Sequence, residues 1–425
     1  MEKKGLLKLF TLVLFFVLLF AALPLSGYSE KAEPLKLGAP IPRTGPYVAN
    51  TIAFDRAIIK AVEEINAKGG VLGRPLEIVY FDTVDVAPER MEMAANTLYA
   101  EGVVCAHAGA GGVGGIRSFG KYNFPYFMND SSQSSKLLMT ENRKEYSNVF
   151  MTGDIERTYA REYFESMVAL ERDFGYKYPN RDIVLIAAPD WWSQGIQKGI
   201  AEIAKENGWN VVMQETVPYG TVEWGPIMAK FRALKRPPAW MQVEIISPRE
   251  VVTLFRAFMK SPTNTLIHYG YSGNSPEFMS IMGKEADGII IASGMYLPVP
   301  PPTKDAQEWV KKFTDRFGNP PSASAPSIYN GVHAWAQAVE AVGDATDYDA
   351  INKYLATHTF EAIPGIPFSF AGGDSDHIVE VPYSVMPQAQ IQNGEFKTLY
   401  WKGKRYTDYE GKTYKFIVPR WISNK

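Results

Sequence analysis

The sequence predicts an α/β fold built as two doubly wound lobes. Three observations lead there. Short apolar runs alternate with longer amphipathic stretches, the pattern restarts after about residue 153, and 425 residues exceed one domain of ordinary size. Strands that are apolar throughout belong to parallel sheets covered by helices on both faces.

In the first series, Leu35 to Ile41 is an apolar strand. Ala53 to Ala67 places Phe54, Ile58, Val62 and Ile65 on one helical face. Gly69-Gly70 ends that helix, and Gly73-Arg74-Pro75 turns the chain into the strand Leu76 to Asp82. Pro88 opens a helix to about Glu101, at the first turn where a missing N–H costs nothing. A strand from Val103 to Ala108, a glycine loop, a short helix over roughly Ile116 to Tyr122 and a strand from Phe124 to Met128 complete the series.

The second series begins with a helix over Tyr159 to Phe174 and the strand Asp182 to Ala188. A helix over Ser193 to Asn207 leads to the strand Trp209 to Glu215. A helix over Pro226 to Leu234 leads to the strand Ala239 to Glu244. The helix Arg249 to Met259 precedes strands at Thr265 to Tyr269 and Gly288 to Ser293. Beyond the stiff run Pro298 to Pro302, helices are expected over Asp305 to Phe317 and Ser327 to Val342.

The ends of the chain differ from this pattern. Lys3, Lys4 and Lys8 precede the apolar run Leu9 to Leu23, which is followed by Pro24, Ser26, Gly27 and Ser29. That is the layout of a secretory signal, expected over residues 1–28, although no A-x-A triplet marks a cleavage site. An uncleaved membrane anchor is the other reading. Removing residues 1–28 takes away three lysines and one glutamate and moves the formal charge from −2 to −4. At the other end, residues 401–425 are basic and aromatic. They read as a β extension packed on the second lobe, or as a docking segment for a partner or lipid.

Composition excludes several chemistries. The near-neutral charge gives nucleic acid no bulk attraction. A single cysteine, Cys105, excludes an internal disulfide and paired-thiol redox chemistry, and it reads as a small core residue. Five histidines make a histidine-rich metal site an unfavourable reading. Asp374-Ser375-Asp376-His377 after Gly372-Gly373 reads as a hairpin turn rather than a metal site.

Several features in one order carry a family resemblance. Thr44-Gly45-Pro46-Tyr47 follows the first strand. The next helix ends in Glu63-Glu64-Ile65-Asn66-Ala67-Lys68-Gly69-Gly70-Val71-Leu72-Gly73-Arg74-Pro75-Leu76, and the second strand ends at Asp82. The Asp190 to Gly195 turn comes later. Over about residues 35–395 the chain resembles the type I periplasmic binding proteins, the branched-chain amino acid class of ABC transporter solute receptors. The resemblance implies two Rossmann-like lobes joined by three hinge crossings: lobe 1 over 35–153 plus 297–365, lobe 2 over 154–296 plus 366–400. It also implies a ligand bound between the lobes, hinge closure, membrane permease subunits as partners, and a periplasmic or otherwise extracytoplasmic address. No catalysis, cofactor or metal is expected.

Ligands of open α/β sheets sit beyond the carboxyl ends of strands, close to helix N-termini. In lobe 1 this points to Tyr47, to Gly109, Ala110 and Gly111, and to Asp130, Ser131 and Ser132. The family usually places serines in the first of these loops. Here only backbone donors remain there, and Ser132 falls at the family's threonine position. In lobe 2, Trp192 falls where the family has a tyrosine. The acid that meets a ligand ammonium in the family belongs near Tyr269 and Tyr271, where no acid occurs; Glu244, at another strand end, is the substitute. Tyr329 matches an aromatic at the start of a late lobe 1 helix.

The expected ligand is a small carboxylate such as a branched-chain amino acid. With the matched acid missing and several aromatics near strand ends, an aromatic or aliphatic acid or an amide is the rival. A sensory ligand-binding module is a further alternative. Gly109-Ala110-Gly111-Gly112-Val113-Gly114, with Asp130 further on, also fits a dinucleotide pattern. Its position after a third strand and the short helix behind it disfavour an exported oxidoreductase.

Overall fold

The computed structural model describes residues 32–45, 48–129, 132–292, 297–321, 324–371, 377–379 and 386–422. The expected secretory signal at 1–28 lies outside them. Residues 35–425 form one compact unit.

Its first sheet has the order β2-β1-β3-β4-β5, with strands Leu35–Ile41 (β1), Leu76–Asp82 (β2), Cys105–Ala108 (β3), Tyr126–Met128 (β4) and Val149–Met151 (β5). All pairs are parallel. Helices Val48–Ala67 (α1), Pro88–Ala100 (α2), Gly112–Phe119 (α3) and Gln133–Glu141 (α4) make the crossovers. The apolar stripe of α1 packs under β1 through Phe54, Ile58, Val62 and Ile65. Its terminating turn needs Gly70, whose φ is +82°, because a side chain there would stand 1.9 Å from the Arg74 carbonyl oxygen. Cys105 is buried in this sheet, as expected of a core residue.

Helix Glu156–Phe174 (α5) leads into the second sheet, and packs on helix Trp191–Glu206 (α6). That sheet contains Asp182–Ala187 (β6), Asn210–Thr216 (β7), Trp240–Glu244 (β8), Leu266–Tyr269 (β9) and Ile290–Ala292 (β10), which pair with one another in parallel. Helices Gly225–Arg232 (α7), Pro248–Met259 (α8) and Pro276–Met282 (α9) lie between them. The chain then returns to the first sheet with Lys304–Phe317 (α10), Ala325–Val342 (α11) and Tyr348–Thr357 (α12). Helix α11 packs against α1 and β3. Nearly its whole circumference is buried, which explains its alanine-rich, weakly amphipathic sequence.

One boundary differs from expectation. Strands Thr359–Ile363 (β11) and Ile366–Ser369 (β12) form an antiparallel hairpin, and Phe370 packs on Phe127 and Phe150 of the first sheet. The Met151 N–H donates to the His377 carbonyl, and the Val379 N–H donates to the Met151 carbonyl. Residues 366–371 and 377–379, expected in the second lobe, therefore pair or pack with the first sheet. A hairpin cannot be divided between lobes without losing its ladder. The second sheet resumes with Gln388–Gln392 (β13), Glu395–Trp401 (β14) and Lys404–Arg405 (β15), antiparallel to β10 and to each other.

The C-terminal segment belongs to the second sheet's core. Trp421 packs edge-on to Phe255 and Phe258, and its indole N–H donates to the Thr265 carbonyl at 2.9 Å. The Gln390 side chain holds Ile417 at both ends, donating to its carbonyl and accepting from its N–H.

Candidate ligand-binding site

The carboxyl ends of both parallel sheets bring most of the described candidate residues to strand–helix junctions, and the structure assigns several of them work inside the protein. In the first sheet, β3 runs into Gly109-Ala110-Gly111. Gly109 needs its missing side chain, since a Cβ would lie 1.7 Å from Phe54 Cδ2. At Gly111 and Gly115 a Cβ would approach the Tyr126 hydroxyl to 2.5 Å. These close approaches are to the protein's own rings, so the glycines act first as packing sites. Gly112 to Gly115 are already helical, so α3 starts earlier than expected and remains about two turns long. Its first backbone N–H groups lie at the sheet's carboxyl end, where an anion is favoured.

Ser132 is the N-cap of α4 rather than a free donor. Its oxygen accepts from the Ser135 N–H at 3.0 Å, and its hydroxyl donates to Ser135 Oγ. Tyr329 also departs from expectation. Its hydroxyl donates to Glu64 on α1, and its ring packs on Trp309 and His333. Its helix turns it toward α1, away from the strand ends. Tyr47, Asp130, Ser131 and the Tyr271 side chain lie outside the described residues.

The turn leading toward Tyr47 is well defined. Asp82, closing β2, accepts from the Arg43 N–H (2.9 Å), the Thr44 N–H (3.3 Å), the Thr44 hydroxyl (2.6 Å) and the Val84 N–H (3.0 Å). Burial opposes its charge, but these bonds outweigh it and hold the carboxyl down at about 2.

In the second sheet, β6 and β8 are neighbours with Ala187 opposite Glu244. Glu244 is 4% exposed, and its Oε1 accepts from the Gln242 amide at 2.5 Å. Gly270, after β9, lies against this carboxyl group: a Cβ there would stand 2.3 Å from both oxygens. Burial pushes Glu244 up to about 8, the Gln242 bond opposing the shift and Asp190 reinforcing it. Asp190 caps α6 by accepting from the Ser193 N–H at 2.7 Å, while its Oδ2 is buried without a hydrogen-bond partner. Two carboxyl groups thus lie within electrostatic reach of each other beyond the ends of β6 and β8, and only Glu244 is a site candidate from the sequence. Asp190 carries a visible signal, an Asp-x-x-Ser cap after an apolar strand, but that signal reports capping alone.

Trp192 stands edge-on to Tyr159 with ring centroids 4.8 Å apart, partly buried, whereas its neighbour Trp191 is 51% exposed. Tyr269 is buried in the core, its hydroxyl donating to the Ile245 carbonyl at 3.1 Å. It supports the wall behind Glu244 rather than presenting its phenol. The two sheets communicate through Glu156 at the start of α5. Its Oε2 accepts from the Gln133 N–H at the start of α4, and its methylenes fill the space left by Gly195 on α6.

Comparison with known proteins agrees with this architecture. Residues 34–395 match the periplasmic binding protein family. The leucine-, isoleucine-, valine-, threonine- and alanine-binding protein of Pseudomonas aeruginosa is 23% identical over 354 residues, 82% of this chain and 89% of that protein. A structure from Silicibacter pomeroyi, described as a branched-chain amino acid ABC transporter, superposes with a TM-score of 0.80 at 23% identity, covering 92% of this chain and 100% of that one. A benzoate-bound solute binding protein of an ABC transporter from R. palustris superposes with a TM-score of 0.67 at 17% identity, covering 88% and 98%. With the family matched across both sheets, the chain belongs to the periplasmic binding protein family.

Proposed function

We propose that this protein is the solute-binding component of an ABC importer and that it holds a small amino acid between its two sheets. The observation that carries the reading is the polarity of the two strand-end regions. The first sheet offers the N-terminus of α3 and the backbone at Gly109 and Ala110, suited to a carboxylate. The second offers the Glu244–Asp190 pair, suited to an ammonium. A zwitterion satisfies both ends, and a buried ammonium requires such a partner.

In this reading, lobe 1 comprises the first sheet with 297–379, and lobe 2 comprises the second sheet with 388–422. Solute binding closes them about the crossings. The closed form then presents both lobes to membrane permease subunits. An extracytoplasmic address accords with the family and with the basic-then-apolar N-terminus. A solute receptor of this kind carries out no catalysis.

A second reading, an aromatic carboxylate, is favoured by one feature. A Glu244 that keeps its proton needs no ammonium and donates a hydrogen bond to an acid, beside the Trp192–Tyr159 pair.

Calorimetric titration with L-leucine, L-isoleucine, benzoate and isobutyramide tests both. A ligand at 100 times its Kd stabilises the protein by about 2.7 kcal/mol, readily seen as a thermal shift. Binding of leucine or isoleucine, lost in Glu244→Gln, supports the amino acid reading. Binding of benzoate alone replaces it with the second. If neither class binds, both fall.

A further inference from the structure

The second sheet contains a series of hydrogen-bonded buried groups that leads from Glu244 of the candidate site to residues the solute reading does not use. It starts at Glu244, whose Oε1 accepts from Gln242 Nε2 at 2.5 Å. The same amide nitrogen lies 2.8 Å from His268 Nδ1. His268 Nε2 lies 2.8 Å from Gln388 Oε1, and Gln388 Nε2 donates to the Met386 carbonyl at 3.3 Å. The Met386 N–H then donates to Glu162 Oε2 at 2.8 Å, and the Tyr163 hydroxyl donates to the Met386 sulfur at 3.6 Å. Gln242, His268 and Gln388 are all buried.

The directions of these bonds are fixed by the atoms available. The Gln242 amide nitrogen has two hydrogens and two acceptors, Glu244 and His268 Nδ1. Nδ1 is therefore unprotonated, and Nε2 carries the hydrogen that Gln388 accepts. The other tautomer would set an N–H against an N–H. Burial also lowers His268 to about 4, so the ring is neutral near pH 7. From Gln242 the bonds run one way to the Met386 carbonyl, while Glu244 accepts from the same nitrogen, so a charge gained on Glu244 draws on that nitrogen and alters its bond to His268 and those beyond it.

Both ends have a meaning in the fold. Glu244 closes β8 at the candidate site. Met386 lies where the chain returns to the second sheet, between the Ile378–Met151 bridge and β13. Glu162 belongs to α5, which begins just after the chain first leaves the first sheet at Met151. Met386 and Glu162 therefore join two of the three passages between the sheets. We propose that Gln242, His268 and Gln388 are positioning residues that hold Glu244 and transmit its charge to the crossings at Met386 and Glu162.

The charged and titratable neighbours are few. Asp190 faces Glu244 from the loop before α6, with the Tyr269 phenol behind it. Glu162 is faced by Asp154, with Arg161 and Glu165 on its own helix, and Tyr163 packs on His268. Because none of these contacts involves a solute, the relay is tested separately from the identity of the ligand.

The experiment is an NMR pH titration of the ligand-free protein between pH 6 and 9. It uses methyl-13C-methionine, with Met386 assigned by Met386→Leu, and carboxyl-13C glutamate, with Glu244 assigned by Glu244→Gln. The Met386 methyl is expected to show a step with the midpoint of the Glu244 carboxyl, and Glu244→Gln should abolish it. His268→Phe should abolish the Met386 step while Glu244 still titrates. Gln242→Leu makes the same cut on the other side of the imidazole, in case the first variant does not fold. Glu162→Gln identifies any step that Glu162 itself contributes. A Met386 methyl that does not follow Glu244 in the wild type overturns the proposal. So does a step that survives Glu244→Gln or both cuts, because buried packing alone would leave it unchanged.

Discussion

Replacing Glu244 by Gln should make the ligand-free protein more stable at pH 8 and change little below pH 5. Glu244 titrates near 4.5 when unfolded and is raised to about 8 by burial in the folded chain. Below 4.5 both states hold the proton and the group is neutral in each. Between 4.5 and 8 the unfolded chain releases it while the folded chain keeps it, so stability falls by about 1.4 kcal/mol per pH unit. Across the window the loss reaches about 5 kcal/mol at most, and relaxation around the charge reduces it to about 2–4 kcal/mol. Gln cannot ionise and still accepts from Gln242, so the variant lacks this slope. Urea unfolding of both proteins at pH 5, 6, 7 and 8 measures it as a difference, which cancels groups common to the two. A difference that grows in the variant's favour with pH is expected. A flat difference would show that Glu244 ionises normally, and the argument from its burial would fail.

Three further outcomes follow from packing and charge. Trp421→Ala should cost about 3–5 kcal/mol, because it empties a site between Phe255 and Phe258; Trp421→Phe should cost clearly less, and equal losses in urea would refute the packing account. Gly109→Ala should cost about 1–3 kcal/mol by forcing the Phe54 ring aside; much of that cost should vanish in a Phe54→Leu background, and strict additivity would count against the contact. Asp82 is held low, so its contribution is present above about pH 4 and is lost as pH falls toward 2. Asp82→Asn should therefore be less stable than wild type at pH 6, with the gap narrowing on acidification; a constant gap in acid titrations would sink this assignment.

Much of the fold was legible in local patterning. The helix stripe of Phe54, Ile58, Val62 and Ile65, the Gly69-Gly70 stop and the strand to Asp82 appear where periodicity and turn chemistry put them. Elements with weak local signals were not legible. Helix α4, the three-residue strand β5, helix α12 and the β11–β12 hairpin are short or lack a clear stripe. The hairpin in particular is specified by Phe360 meeting Phe368 across the pair.

The candidate site divides the same way. Sequence reasoning found the strand ends at Gly109, Ser132, Trp192 and Glu244, because a strand's carboxyl end is a local property. It misjudged what the side chains there do. Ser132 caps a helix, Tyr329 turns to Glu64, and Tyr269 enters the core. Orientation depends on which neighbour is present, and that neighbour lies on a distant segment.

The sequence alone therefore determined the alternation of strands and helices, the two-lobed α/β class, the family resemblance and the absence of paired-thiol chemistry. Each follows from local periodicity, a motif or a residue count. Only the tertiary structure decided that 366–371 and 377–379 remain with the first sheet and that Ile417 and Trp421 pack on the second. It alone brought Asp190 beside Glu244 and linked Glu244 to Glu162 through His268 and Gln388. These are contacts between residues far apart in the chain, and burial, hydrogen-bond satisfaction and a raised carboxyl pKa exist only once those residues share one environment.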